Sequence, residues 1–159
     1  PSSYTFLEMY NVGCIEQLNI LERWRESDSV NSLSAPIGID GYGKHICLDI
    51  HEKYHGPHGL IAGSTGSGKS EFIITYILSL AINYHPDDVT FVLIDYKGGG
   101  LAGAFKRPDV QLPHLVGTIT NIDKGSLQRS LESIESELKR RQVEFSEARL
   151  ITGESTIDI

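Results

Sequence analysis

Residues Gly63-Ser64-Thr65-Gly66-Ser67-Gly68-Lys69-Ser70 read G-x-x-x-x-G-K-S, a pattern that bends the backbone into a concave turn before a helix can begin. Glycine gives such a turn access to positive φ, so that successive N–H groups point into one hollow. A helix opening at Lys69 adds the positive end of its dipole to the same hollow. In this pattern Lys69 carries a mobile charge to β- and γ-phosphates, and the Ser70 hydroxyl is a ligand of the Mg²⁺ that bridges them. The predicted cradle for ATP, or a close relative, and its Mg²⁺ runs from Gly63 through Glu71.

The flanks agree with an α/β fold. Gly59-Leu60-Ile61-Ala62 is a short apolar run suited to a buried parallel strand, and Phe72, Ile73, Tyr76, Ile77, Leu80 and Ala81 fall on one face of a helix ending near Asn83. A chain of 159 residues with 40% hydrophobic content has room for one core. We read residues 1–35 as an N-terminal helical extension and 36–159 as a P-loop domain with a mainly parallel sheet flanked by helices. The net charge of −7 and pI near 5.3 leave no broad basic surface for nucleic acid. Cys14 and Cys47 show no metal spacing and read as free thiols, small buried hydrophobes in a reducing compartment. No apolar stretch reaches the roughly 18 residues that a membrane-crossing helix needs.

Along the chain, Ile15, Leu18, Leu21 and Trp24 predict an amphipathic helix from Ile15 to Arg25. Pro36–Asp40 and His45–Ile50 predict a hairpin around Gly41-Tyr42-Gly43, capping one edge of the nucleotide domain. His51-Glu52-Lys53-Tyr54-His55 matches H-E-x-x-H, whose zinc chemistry needs both imidazoles on one face of a helix. Gly56-Pro57 follows at once, so a polar loop is predicted there instead.

Val89–Asp95 predicts a second core strand ending in a carboxylate. Asp95 is placed either to touch a Mg²⁺ shell or to cap the turn that follows. Leu112–Thr120 predicts a third strand, with the Pro113-His114 pair at its entry and Leu115-Val116-Gly117-Thr118-Ile119 as its apolar run. A long helix from Asp123 to about Ile151 carries Leu127, Leu131, Ile134, Leu138, Phe145 and Ala148 on one face. Its Lys139-Arg140-Arg141 triplet reads as a solvated surface, with Arg140, Arg141 or Arg149 as alternatives for an arginine reaching a neighbouring subunit.

Three segments together resemble the FtsK/SpoIIIE class of P-loop motors: His55–Gly63 with the loop to Glu71, Leu93-Ile94-Asp95-Tyr96-Lys97-Gly98-Gly99-Gly100, and Pro113–Asn121. Within that class they are most similar to the EssC/EccC ATPases of type VII (ESX) secretion, because the DNA-pumping members usually carry proline where Tyr96 stands. The resemblance implies one ATPase module of a membrane-anchored protein at the cytoplasmic face of a bacterial cell membrane. It implies assembly into a homo-oligomeric ring, other secretion-machinery subunits as partners and small WXG-type proteins as exported substrates.

In this family a strand ending in Asp-Glu supplies the Mg²⁺-associated aspartate and the water-activating glutamate. Nothing after Ile119 reads as that strand. The domain is therefore expected to be incomplete, the fragment to be possible as a binder without hydrolysis, and Asp95 and Lys97 to be outlying contacts. Two other functions stay open: a DNA translocase of the same fold, and a platform that docks nucleotide or a substrate tail without hydrolysis.

Overall fold

The computed structural model describes residues 4–95, 100–105, 111–120 and 124–152. Tyr96 to Gly99, Asn121 and Asp123 lie outside the described residues, as do the side chains of Leu127 and Arg149.

The N-terminal segment holds α1 (Phe6–Met9), a 3-10 turn (Ile15–Leu18) and α2 (Ile20–Glu26). Helix α1 starts with a capping box: the Thr5 hydroxyl accepts from the Glu8 N–H while the Glu8 carboxylate accepts from the Thr5 N–H. The single helix predicted over Ile15–Arg25 is in fact two pieces. Asn19 stands between them with φ of 49°, and asparagine enters the left-handed region more readily than most residues.

Strands β1 (Ser34–Ile39) and β2 (His45–Asp49) form the predicted antiparallel hairpin. Its turn is fixed by Asp40, whose carboxylate accepts from the Tyr42 and Lys44 N–H groups, and by Gly43 at φ of 82°. The hairpin does not extend the other sheet; it packs on a helix, α3 (Lys69–Asn83). Ala35 meets Leu80 and Tyr84 there in one cluster of the core. Both cysteines are exposed, against the sequence reading, because β2 buries only its Asp49 end and Cys14 precedes the 3-10 turn at the surface.

Helix α3 begins and ends where the sequence predicts. Its second half is buried on almost every side at Ile77, Ser79, Leu80, Ala81 and Ile82, so the single apolar face read from sequence understates its burial. Strand β3 (Phe91–Asp95) pairs in parallel with β4 (Leu115–Thr120), Leu93 beside Thr118 and Asp95 beside Thr120. Ile77, Leu93, Phe105 and Leu115 form the core between this pair and α3. The short helix α4 (Gly100–Ala104), which has no periodic signal in the sequence, packs on β3 and α3. The long helix α5 (Lys124–Thr152) completes the described chain.

One expectation fails for want of a neighbour. Residues 59–62 are not a strand, and Leu60 is 94% exposed. A strand exists only where a neighbour pairs with its N–H and C=O groups, and among the described residues β3 is paired with β4 alone. On α5, Leu131, Ile134, Leu138 and Phe145 are exposed among the described residues.

Candidate phosphate-loop site

The loop leading into α3 is built from two left-handed glycines and one cramped glycine. Gly66 and Gly68 have φ of 79° and 88°, and Gly68 is the residue from which α3 starts. A side chain at either position would be strained. At Gly63 the matter is space: a side chain there would have to displace the Ser67 hydroxyl. A Cβ there would lie 2.6 Å from the Ser67 hydroxyl oxygen. The Ser67 side chain thus folds across the loop onto Gly63, while the Ser67 N–H donates to the Ser64 carbonyl at 3.2 Å.

Lys69 closes the loop. Its Nζ donates to the carbonyls of Gly63 at 2.7 Å and Ser64 at 2.6 Å. An ammonium has three N–H donors, so two anchor the charge to the loop and the third remains for an acceptor in the hollow. Ser70 and Glu71 occupy the first turn of α3 beside it. Helix α3 has 15 residues, long enough for its peptide dipoles to sum into a positive field at this end. The whole stretch from Ser64 to Gly68 is exposed. Charge, donors and helix end therefore face solvent together, an arrangement suited to a polyanion.

The other sequence candidates fall elsewhere. The Asp95 carboxylate accepts from the Leu101 N–H at 3.3 Å, which puts it at the start of α4. Lys97 lies outside the described residues. His51 to Tyr54 form a turn, and both imidazoles serve the backbone. The His51 Nε2–H donates to the Val30 carbonyl at 2.9 Å, its Nδ1 accepts from the Lys53 N–H, and His55 Nδ1 accepts from the Asp49 N–H.

Asp49 anchors this approach to the loop. Burial raises the pKa of its carboxyl, but donors from Ser32 Oγ, the His51 N–H and the Leu33 N–H outweigh burial and hold it below the usual range. On α5, Arg140 binds Glu137 and Glu144 while Arg141 binds Glu137. These arginines are engaged by carboxylates of their own helix.

Sequence reading missed the Ser67 side chain against Gly63 and the acceptor roles of the Gly63 and Ser64 carbonyls. The Gly63-to-Ser67 spacing marks the first only once the loop's curvature is known. Backbone carbonyls leave no sequence signal.

An α/β fold whose central helix opens from this loop defines the class as P-loop. More narrowly, the chain belongs to the FtsK/SpoIIIE family, whose pattern matches residues 18–158. It is 55% identical to the type VII secretion system protein EssC of Staphylococcus aureus (strain NCTC 8325 / PS 47) and 52% identical to the ESX secretion system protein YukB of Bacillus subtilis (strain 168). In each case the match covers 92% of this chain and 10% of the relative. The chain therefore spans a tenth of the length of these relatives. Among solved structures, the cytoplasmic domain of the Thermomonospora curvata type VII secretion ATPase EccC superposes with a TM-score of 0.76 at 30% identity, over 100% of this chain and 20% of that one.

Proposed function

We propose that this chain is an ATP-binding module of a type VII secretion motor, and that its parent protein couples ATP hydrolysis to the export of small WXG-type proteins. The observation that carries the reading is the Lys69 ammonium, held by the Gly63 and Ser64 carbonyls at the N-terminus of α3. Similarity to EssC, YukB and EccC supports the secretion role.

The residues present fit a nucleotide triphosphate with Mg²⁺. Gly66 and Gly68 take the positive φ that turns N–H groups inward, and Gly63 leaves room where a side chain would collide. The N–H groups of Ser64 to Lys69 would cradle the phosphates, Lys69 would offset their charge, and the Ser70 hydroxyl would hold Mg²⁺. Bound Mg²⁺ and the triphosphate supply the electrophilic phosphoryl group, and this chain's contribution is electrostatic positioning. Asp95, at the base of α4, has at most an outlying part. In the parent protein the module would act within a homo-oligomeric ring at the cytoplasmic face of the membrane, with other secretion subunits.

The test is ATP turnover by the parent protein and by its Lys69→Ala variant, with a WXG-type protein or duplex DNA added in turn. Loss of turnover in the variant and stimulation by the WXG-type protein are the expected results. Turnover near wild type in the variant overturns the assignment of Lys69. Stimulation by DNA alone, lost steeply with salt, moves the chain to the DNA translocases, against its net charge of −7.

A further inference from the structure

The end of α3 far from the loop is gripped by the N-terminal segment. Trp24 Nε1 donates to the Ala81 carbonyl at 2.9 Å, capping an acceptor that the helix itself leaves unpaired. Arg23 Nη1 donates to Asn83 Oδ1 at 3.1 Å, and Asn83 Nδ2 donates to the Tyr10 hydroxyl at 3.0 Å. The Arg23 guanidinium also lies over the Tyr10 ring, 5.1 Å from its centroid, and its Nε–H donates to the Leu18 carbonyl. Beneath these contacts Ile82 is buried among Met9, Tyr10 and Leu18.

The same Trp24 ring meets the sheet. It stands edge-on to His114 at 5.6 Å and to His85 at 5.0 Å. His114 is 1% exposed, and its Nε2–H donates to the Tyr84 carbonyl at 2.8 Å. The Phe91 N–H in turn donates to the His114 carbonyl at 2.7 Å, joining the start of β3 to the residue before β4. One indole therefore touches both the C-terminal end of α3 and the base of the parallel strands.

This grip has room to shift. A cleft of about 540 Å³ lies along it, lined by Phe6, Leu18, Trp24, Leu78, Ile82 and His114 among others. Of the polar atoms that line it, His114 Nδ1 is buried without a hydrogen-bond partner among the described residues. Leaving a buried polar atom unpaired costs free energy, so a packing that pairs it would be favoured. A 15-residue helix spans about 22 Å as a stiff rod. A small displacement of its loop end is therefore delivered to its clamped end.

We propose that residues 5–26 form a clamp that senses occupancy of the phosphate loop through α3, with Trp24, Arg23 and Asn83 as its contacts. The clamp rests on the ATP-binding reading of Lys69 given above. Linkage makes the coupling reciprocal: loosening the clamp alters nucleotide affinity by the factor by which nucleotide alters the clamp.

Trp24 is the one tryptophan of these 159 residues, and the emission lost in Trp24→Phe assigns its signal, which reads the clamp. Mg²⁺ with unlabelled ATP is titrated against that emission, and binding is measured separately by anisotropy of a fluorescent ATP analogue. The proposal expects the emission to change with the same half-saturation as binding and not to change in Lys69→Ala. In Asn83→Ala, or in Arg23→Gln should the former fail to fold, it expects affinity to shift by about fivefold or more. An unmoved Trp24 signal while the analogue binds overturns the clamp and leaves the loop assignment standing. Failure of the analogue to bind overturns both.

Discussion

The two ends of α3 are made for opposite purposes. At the N-terminal end, residues 64–68 are exposed and the loop is held by one cation on two carbonyls. At the C-terminal end, Leu80 is 2% exposed, the last turn is sealed by Ile82 and Tyr84, and Trp24, Arg23 and Tyr10 all bond to it. Polar groups can greet a ligand only where they remain hydrated and unpaired, whereas apolar burial holds only where water is excluded. One helix joins the two regimes, so substitutions along it should separate binding from stability.

The largest expected effect is on stability at the buried end. Leu80→Ala empties a site enclosed by Ala35 and Tyr84 and should cost about 2–5 kcal/mol in urea unfolding. A loss below about 1 kcal/mol would mean that the two ends are less different than their burial indicates.

Lys69→Ala should do the reverse. Stability should fall by only about 1 kcal/mol, the net worth of the hydrogen bonds that half-buried Lys69 makes to the loop, while ATP affinity measured by calorimetry falls by about tenfold or more. Stability falling as far as in Leu80→Ala would erase the distinction.

A smaller effect sharpens the loop's geometry. Gly63→Ala should weaken ATP binding severalfold, because its Cβ would sit 2.6 Å from the Ser67 oxygen. Adding Ser67→Ala removes that oxygen and should restore most of the affinity, since the Ser67 Cβ itself would be at an ordinary 3.5 Å. Absence of rescue would assign the Gly63 requirement to something other than the collision.

The smallest effect lies on α5, outside both ends. Hydrogen bonds from Arg140 and then Arg141 pull the Glu137 pKa down to about 2. A carboxylate with a depressed folded pKa stabilises the helix above its unfolded value near 4.5, and loses that contribution as pH falls through about 2. Carboxyl NMR titration should place Glu137 at the acid end of the glutamates, and Arg140→Ala should move it upward. An unmoved Glu137 in that variant would leave Arg141 as its sole cause.

The sequence disclosed most where one residue type has one physical use. The start of α3 at Lys69, its end at Asn83, the hairpin and the β4 strand were all legible from glycine placement and apolar periodicity. The break at Asn19, the exposure of both cysteines and helix α4 were not, because each depends on which neighbours arrive. The hydrogen bond that Asp95 accepts from the Leu101 N–H was equally hidden, because it needs α4 in place.

By itself, then, the sequence determined the loop and the class of fold, because a run of glycines ending in Gly-Lys-Ser bends local backbone whatever surrounds it. Tertiary structure decided which apolar runs were buried, which carbonyls held Lys69 and how Trp24 came to rest on the far end of α3. Those outcomes depend on residues distant in sequence meeting in space. Ala81 and Trp24 share a hydrogen bond across 57 positions, and no local pattern encodes a contact that only chain closure creates.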